Sequence, residues 1–165
     1  MSQITVQKGN SVDLRQTAEL LNEIIAIGGS TAMTNPMSRD DLEGWLMADQ
    51  DCSTWHVAMT EDGTLLGFQW VGPWGDLPPE ACGIGTFVKA GRTGLGIGSK
   101  LFEASVNAAR DLGYTWMDAE IRADNEGGLA YYQSRGFETY KRLTDIPLDD
   151  GTLVNKICKR YDLNI

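Results

Sequence analysis

At 165 residues, 42% hydrophobic and 22% charged, the chain has the size and composition of one domain with a full core, spanning residues 1–165. A formal net charge of −9 argues against the basic face that nucleic acid requires, and no apolar run approaches the ~20 residues of a membrane span. The opening Met-Ser-Gln-Ile-Thr-Val lacks a basic stretch followed by an apolar one, so no signal peptide is predicted.

Ile4 to Gln7 is β-favouring and predicts a first strand. Asn10 or Ser11 can cap a helix running to about Ile27, with Leu14, Ala18, Leu21 and Ile25 on one face and Gly28-Gly29 as its stop. Ser38 caps a second helix with acids in its first turn and Leu42, Trp45 and Leu46 on its apolar side. The loop between them, Ser30 to Met37, either lines a substrate mouth or covers the core. Thr54 to Thr60 and Leu65 to Val71, joined by Glu61-Asp62-Gly63, predict a hairpin. His56, the single histidine, stands in the first of these strands and is read as structural, which excludes mechanisms built on a His pair. Ala81 to Val88 is the next strand, and Tyr114 to Ile121 follows a long helix. A short helix spans about Gly127 to Ser134, and Phe137 to Leu143 and Leu153 to Tyr161 close the chain around Asp149-Asp150-Gly151. The order β-α-α-β-β-β-α-β-α-β-β predicts an α/β (α+β) domain, a mixed sheet with helices on both faces. Cys52, Cys82 and Cys158, odd in number and without a Cys-x-x-Cys, predict reduced thiols in a cytoplasmic protein and no zinc site.

The stretch Thr86 to Gly113 organises the rest. A strand end runs into Gly91-Arg92-Thr93-Gly94-Leu95-Gly96-Ile97-Gly98, and from Ile97 apolar residues recur at Leu101, Ala104, Ala108 and Leu112, one helical face. Glycines allow close backbone approach, and the unpaired N–H groups that open a helix suit an anion such as phosphate. Lys89, Arg92 and Lys100 add positive charge there. A Walker A loop is excluded, because no Gly-Lys-Ser/Thr follows at the required spacing. Gly94-x-Gly96-x-Gly98 also lacks the spacing of a dinucleotide fingerprint.

Val88, four residues, Thr93, two residues, then Gly96-Ile97-Gly98 resembles the acetyl-CoA loop of the GCN5-related N-acetyltransferases (GNAT), Val-x-x-x-x-Gln/Arg-x-x-Gly-x-Gly/Ala. Thr93 departs from the Gln or Arg usual there, with Arg92 one place early. A second motif agrees: Asn125, Tyr132 seven positions on, then Gly136-Phe137. The element order is also that family's, so the resemblance covers nearly the whole chain. Glu120-Ile121-Arg122-Ala123-Asp124-Asn125 resembles the ribosomal-protein N-terminal branch. Val71-Gly72-Pro73-Trp74 and Arg92-Thr93-Gly94-Leu95-Gly96 resemble the phosphinothricin acetyltransferase branch.

The resemblance implies a GNAT fold with a mostly antiparallel central sheet, acetyl-CoA as cosubstrate, no metal, and direct transfer to a primary amine. A small amine or amino acid is favoured as acceptor over a peptide N-terminus, and a non-catalytic acetyl-CoA sensor is the rival from another class. Thr86, Phe87 and Val88 would offer strand-edge backbone groups to the pantetheine arm. Thr93, Gly94, Leu95, Gly96, Ile97, Gly98 and Ser99 would cradle the pyrophosphate, and Asn125 would hold the arm through its amide. Acetyl transfer needs a neutral amine, a stabilised oxyanion and a proton for the leaving thiolate. Strand alternation puts Trp116, Asp118, Glu120 and Arg122 on one side and Met117, Ala119 and Ile121 on the other. Glu120 is therefore the expected base, with Glu80 the lesser candidate and an ion pair of Glu120 with Arg122 or Lys89 the non-catalytic reading. Tyr132 is the expected acid, while one of Tyr131 and Tyr132 is expected to be a core aromatic. A homodimer is compatible with the exposed final strands.

Overall fold

The computed structural model describes residues 3–92 and 95–164. Strand β1 (Thr5–Lys8) leads through a 3-10 turn, Ser11–Asp13, into helix α1 (Leu14–Ile27). Helix α2 (Arg39–Leu46) and strands β2 (Thr54–Met59), β3 (Leu65–Gly72) and β4 (Ala81–Val88) follow. Helix α3 (Ile97–Asp111), β5 (Trp116–Arg122), α4 (Glu126–Ser134), β6 (Glu138–Pro147) and β7 (Leu153–Asp162) complete the chain. The expected order is observed throughout. Its start signals are real: Asn10 accepts from Val12 N, and Ser38 and Asp41 bond each other's backbone in a capping box at α2. Among the described residues no helix is long and apolar enough to cross a membrane.

The seven strands run in the order β1-β2-β3-β4-β5-β7-β6. Every neighbouring pair is antiparallel except β4–β5. That parallel pair is short, with only Ala81↔Trp116, Cys82↔Met117 and Gly83↔Asp118 in register. Beyond it β4 continues along β3 as far as Val88, while β5 follows β7 along its whole length. The sheet therefore opens into a wedge between Ile84–Val88 and Ala119–Arg122.

Each face of the sheet has its own core. On one face α1 and α2 cover Trp55, Val57, Phe68, Trp70 and Phe87, with Phe68 and Phe87 stacked at 4.6 Å. On the other, Ile97 and Leu101 of α3 pack on Ala58 and Leu66, and Phe102, Val106 and Ala109 join Met117, Ala119, Ile121, Tyr132 and Phe137. In the loop Ser30 to Met37, Met33 and Met37 pack on the first core, and residues 30–33 border the wedge.

One face differs from expectation. The buried side of α3 is Ile97, Leu101, Phe102, Ser105, Val106 and Ala109, whereas Ala104, Ala108 and Leu112 are only partly covered. The helix spans two clusters, and its stripe is rotated to reach both. Buried Ser105 broke the apolar pattern at the centre of that stripe.

Phe68 is fully buried and joins the stacked and edge-on rings of the first core. Phe68→Ala is expected to lower the unfolding free energy in urea by about 3–5 kcal/mol, through lost transfer energy and a residual cavity. A loss under about 1 kcal/mol would mean that the core collapses around the site.

Candidate active site

A cavity of about 1190 Å³ fills the wedge. Its walls come from both halves: Ile84–Val88 of β4, the start of α3, Asp118 and Glu120–Arg122 of β5, and one side of α4. Trp45, Trp70 and Trp74 also border it, and Lys156 reaches it from β7.

At one end is the glycine turn. Gly96 caps α3 with φ +78°, a left-handed conformation that suits glycine, and no side chain intervenes at the helix N-terminus. Gly98 is required for a different reason. A Cβ there would come within 2.7 Å of the Tyr131 ring, whose hydroxyl donates to the Gly98 carbonyl at 2.7 Å. Ile97 and Ser99 line the cavity, whereas Leu95 is exposed and does not. Thr93 and Gly94 lie outside the described residues. Of the cations expected here, Arg92 borders the cavity. Lys89 instead pairs with Glu23 at 3.1 Å, and Lys100 donates to the Ile4 carbonyl. Arg135 takes their place, lining the cavity and donating to Ser99 Oγ at 2.7 Å. Sequence reasoning missed it, because nothing in a one-dimensional pattern brings the end of α4 to the start of α3.

Along the β4 wall the backbone of Ile84–Val88 pairs with β3 on one side and has no strand partner on the other. Phe87 turns its ring into the first core, and Thr86 turns its hydroxyl to Tyr132, 2.7 Å away. Tyr132 lines the cavity, and burial pushes its phenol well above the usual value, so it stays protonated at neutral pH. Tyr131 lines the cavity too, so neither tyrosine is merely a core aromatic. Asn125 borders the cavity with both ends of its amide engaged. Its Oδ1 accepts from Gly128 N, capping α4, and its Nδ2 donates to the Ser30 carbonyl.

On the β5 wall the alternation is as expected: Met117, Ala119 and Ile121 are core, and Asp118, Glu120 and Arg122 face the cavity. Glu120 accepts from Lys156 Nζ at 3.0 Å and from Trp74 Nε1 at 2.9 Å. Neither expected ion-pair partner reaches it: Arg122 is bonded to Asp124 and to the Thr31 carbonyl. Glu80 is exposed beside the closed end of the β4–β5 seam, where its carbonyl accepts from Thr115 N. It does not line the cavity. Asp118 is 3% exposed and accepts from the Tyr140 hydroxyl, and its burial pushes the carboxyl above the usual carboxylate range.

Other reactive groups are quiet. Burial pushes the Cys82 thiol up to about 12 and the Cys158 thiol up to about 11, so neither is a thiolate at neutral pH. His56 does not line the cavity, and burial pushes its imidazole toward the neutral form. Among the described residues no group of three or more His, Cys, Asp or Glu could hold a metal ion.

A strand edge, a glycine-opened helix and a buried tyrosine around one wedge are the parts expected of an acetyl-CoA site, and comparison with known proteins agrees. The pattern of the acetyltransferase (GNAT) family matches residues 19–137, well over half the chain. The chain belongs to this family. It is an acetyl-CoA-using acetyltransferase, with the fold expected from its sequence. YwnH of Bacillus subtilis (strain 168), provisionally named a phosphinothricin acetyltransferase, is 24% identical over 164 residues, 98% of this chain and 96% of that protein. The L-amino acid N-acyltransferase MnaT of Escherichia coli (strain K12) is 23% identical over 136 residues, 81% of this chain and 79% of that protein. Among solved structures, a phosphinothricin acetyltransferase from Sinorhizobium meliloti in complex with acetyl-CoA superposes with a TM-score of 0.85 at 19% identity, covering 96% of this chain and 88% of the other.

Asp118 gives this acetyltransferase a testable pH dependence. Its folded-state pKa is raised, so its ionisation weakens the fold as pH rises from the unfolded value of 3.8 through the folded one. Asp118→Asn keeps an acceptor for Tyr140 and removes the buried charge. The variant is expected to have the higher thermal midpoint at pH 7, with the difference shrinking toward pH 3.8. A pH-independent difference would show that Asp118 is not the titrating group.

Proposed function

We propose that the protein transfers the acetyl group of acetyl-CoA directly to the primary amine of a small molecule or amino acid. The free edge of Ile84–Val88 suits an extended amide-bearing arm by strand addition. The N-terminus of α3, with Arg92, Arg135 and Ser99 beside it, suits a pyrophosphate. Backbone N–H groups on that edge would polarise the acetyl carbonyl.

Glu120, on the facing wall, takes a proton from the incoming ammonium directly or through water. Its orientation is fixed by Lys156 and Trp74, and each carboxylate oxygen retains a lone pair. Tyr132, buried and protonated, gives its proton to the departing sulfur.

The observation that carries the small-acceptor reading is the loop at the cavity's border. Ser30 accepts from Asn125 and Thr31 from Arg122, so the loop after α1 is tied to the far half of the wedge. A strap across the opening favours a compact acceptor over an extended peptide. The names of YwnH and MnaT point the same way.

CoA release from acetyl-CoA should be measured against amines, amino acids, polyamines, aminoglycosides and short peptides. Turnover is expected with an amino acid or small amine; turnover with peptides alone would overturn the acceptor class, and binding without turnover would indicate a sensor. Gly96→Glu is expected to abolish acetyl-CoA binding by calorimetry, because a carboxylate would enter the anion seat; unchanged affinity removes the turn from the site. Glu120→Gln is expected to depress the rate mainly at low pH, where the amine is most protonated, and a wild-type pH profile removes Glu120 as base. Tyr132→Phe is expected to cut kcat by about 10²-fold or more, with acetyl-CoA affinity nearly intact.

A further inference from the structure

Behind the cavity wall, and not lining it, is a fully buried glutamine. Gln69 stands on β3 directly opposite Thr86 of β4, with 0% exposure. Its Nε2 lies 2.8 Å from Thr86 Oγ1 and 3.1 Å from the Tyr131 hydroxyl. Tyr131 in turn is 2.7 Å from the Gly98 carbonyl, and Thr86 is 2.7 Å from the Tyr132 hydroxyl.

The direction of the first two links in this chain follows from one end. A carbonyl oxygen only accepts, so Tyr131 must donate to Gly98. Its proton is committed there, and from Gln69 it can only accept. The amide N–H₂, not the amide oxygen, therefore faces the two hydroxyls. The same N–H₂ donates to Thr86, whose own O–H is left to give. The Tyr132 oxygen is 2.7 Å away, and with a lone pair of Thr86 already taken by Gln69 the Thr86 hydroxyl is free to donate there. With its oxygen accepting, Tyr132 has its proton free of protein partners and beside the cavity.

We propose that Gln69 is a positioning residue for acetyl transfer: it orients the Thr86 hydroxyl toward Tyr132, so that the Tyr132 proton faces the leaving sulfur. The proposal rests on the acid role given to Tyr132 above. In the step it serves, the carbon–nitrogen bond forms as the carbon–sulfur bond breaks, and the sulfur keeps that bond's electron pair and takes the Tyr132 proton. The Thr86 O–H then donates to the phenolate, which recovers a proton from the attacking nitrogen as that becomes an amide. Glu120 passes the ammonium's extra proton to solvent, so charge and protons balance. The same geometry explains why the neighbouring tyrosines are not interchangeable. Tyr131 spends its proton holding the glycine turn, and Tyr132 keeps its proton available.

The test is a double-mutant cycle on kcat for CoA release from acetyl-CoA. Hydroxylamine serves as acceptor, because it is unprotonated at neutral pH and makes no demand on the base; the best amine of the panel is run in parallel. Gln69→Leu is expected to lower kcat about tenfold, one hydrogen bond's worth, with little change in KM for acetyl-CoA. In a Tyr132→Phe background it should lower kcat no further, since a residue acting only through that proton has nothing left to orient. Thr86→Val should repeat the pattern and Thr86→Ser restore activity, and Thr86→Val carries the cycle if Gln69→Leu does not fold. The same loss in both backgrounds, or wild-type kcat in Gln69→Leu, overturns the proposal while leaving Tyr132 as the acid. Wild-type kcat in Tyr132→Phe alone removes the acid role and the relay together.

Discussion

Between Ile84 and Val88 the central strand of the sheet has a neighbour on only one side, and nearly everything else in the molecule accommodates that gap. Three parallel pairs, Ala81 to Gly83 against Trp116 to Asp118, join the two halves of the sheet, and a shared core of Val71, Cys82 and Ile84 with Met117 and Ala119 packs beside them. One half is stitched by the β2–β3–β4 ladder and its aromatic core, and the other by β5, β7 and β6. What bridges the wedge between them does so at the margins: α3 and α4 on one face, and the Ser30–Thr31 strap over the border.

The cavity is chemically divided although it is continuous. Near the start of α3 it presents Arg92, Arg135, Ser99 and the helix's unpaired N–H groups; near β5 it presents Asp118, Glu120 and Lys156 among tryptophans. A chain of net charge −9 thus gathers cationic side chains at one end of its cavity, and the overall sign of the protein says little about that end. The two carboxylates of the β5 wall differ in the company they keep. Glu120 is met by an ammonium and an indole N–H, whereas Asp118 has one hydroxyl donor and is pushed toward its neutral form.

The order of elements, the caps at Asn10 and Ser38, and the two glycine-bearing motifs were all legible in the sequence, because each is a local pattern with a local cause. So was the inward face of β5, which needs nothing beyond the two-residue period of a strand. Relations between distant segments were not. Lys156 meets Glu120 only because β7 inserts beside β5, and Arg135 meets Ser99 only because α4 returns to the head of α3. Lys89 and Lys100 flank the glycine turn in sequence yet point to Glu23 and Ile4. Gln69, between Phe68 and Trp70, resembled any polar residue on a strand, and only the register with Thr86 gives it a role.

A strand with unpaired backbone groups is normally an invitation to foreign strands, and this sheet has three such margins. Two are outer ones. β1 is only four residues long, and β6 carries Glu138, Lys141, Arg142 and Asp145, interruptions of its register and a closing proline, all of which discourage intermolecular pairing. The third, along Ile84–Val88, is in the middle of the molecule with β5 and α4 standing close on its open side. A foreign strand would have to enter between walls that already carry the side chains of β5 and α4. The protein can therefore keep a long unpaired backbone edge inside the molecule without offering it on its outer surface as a template for aggregation.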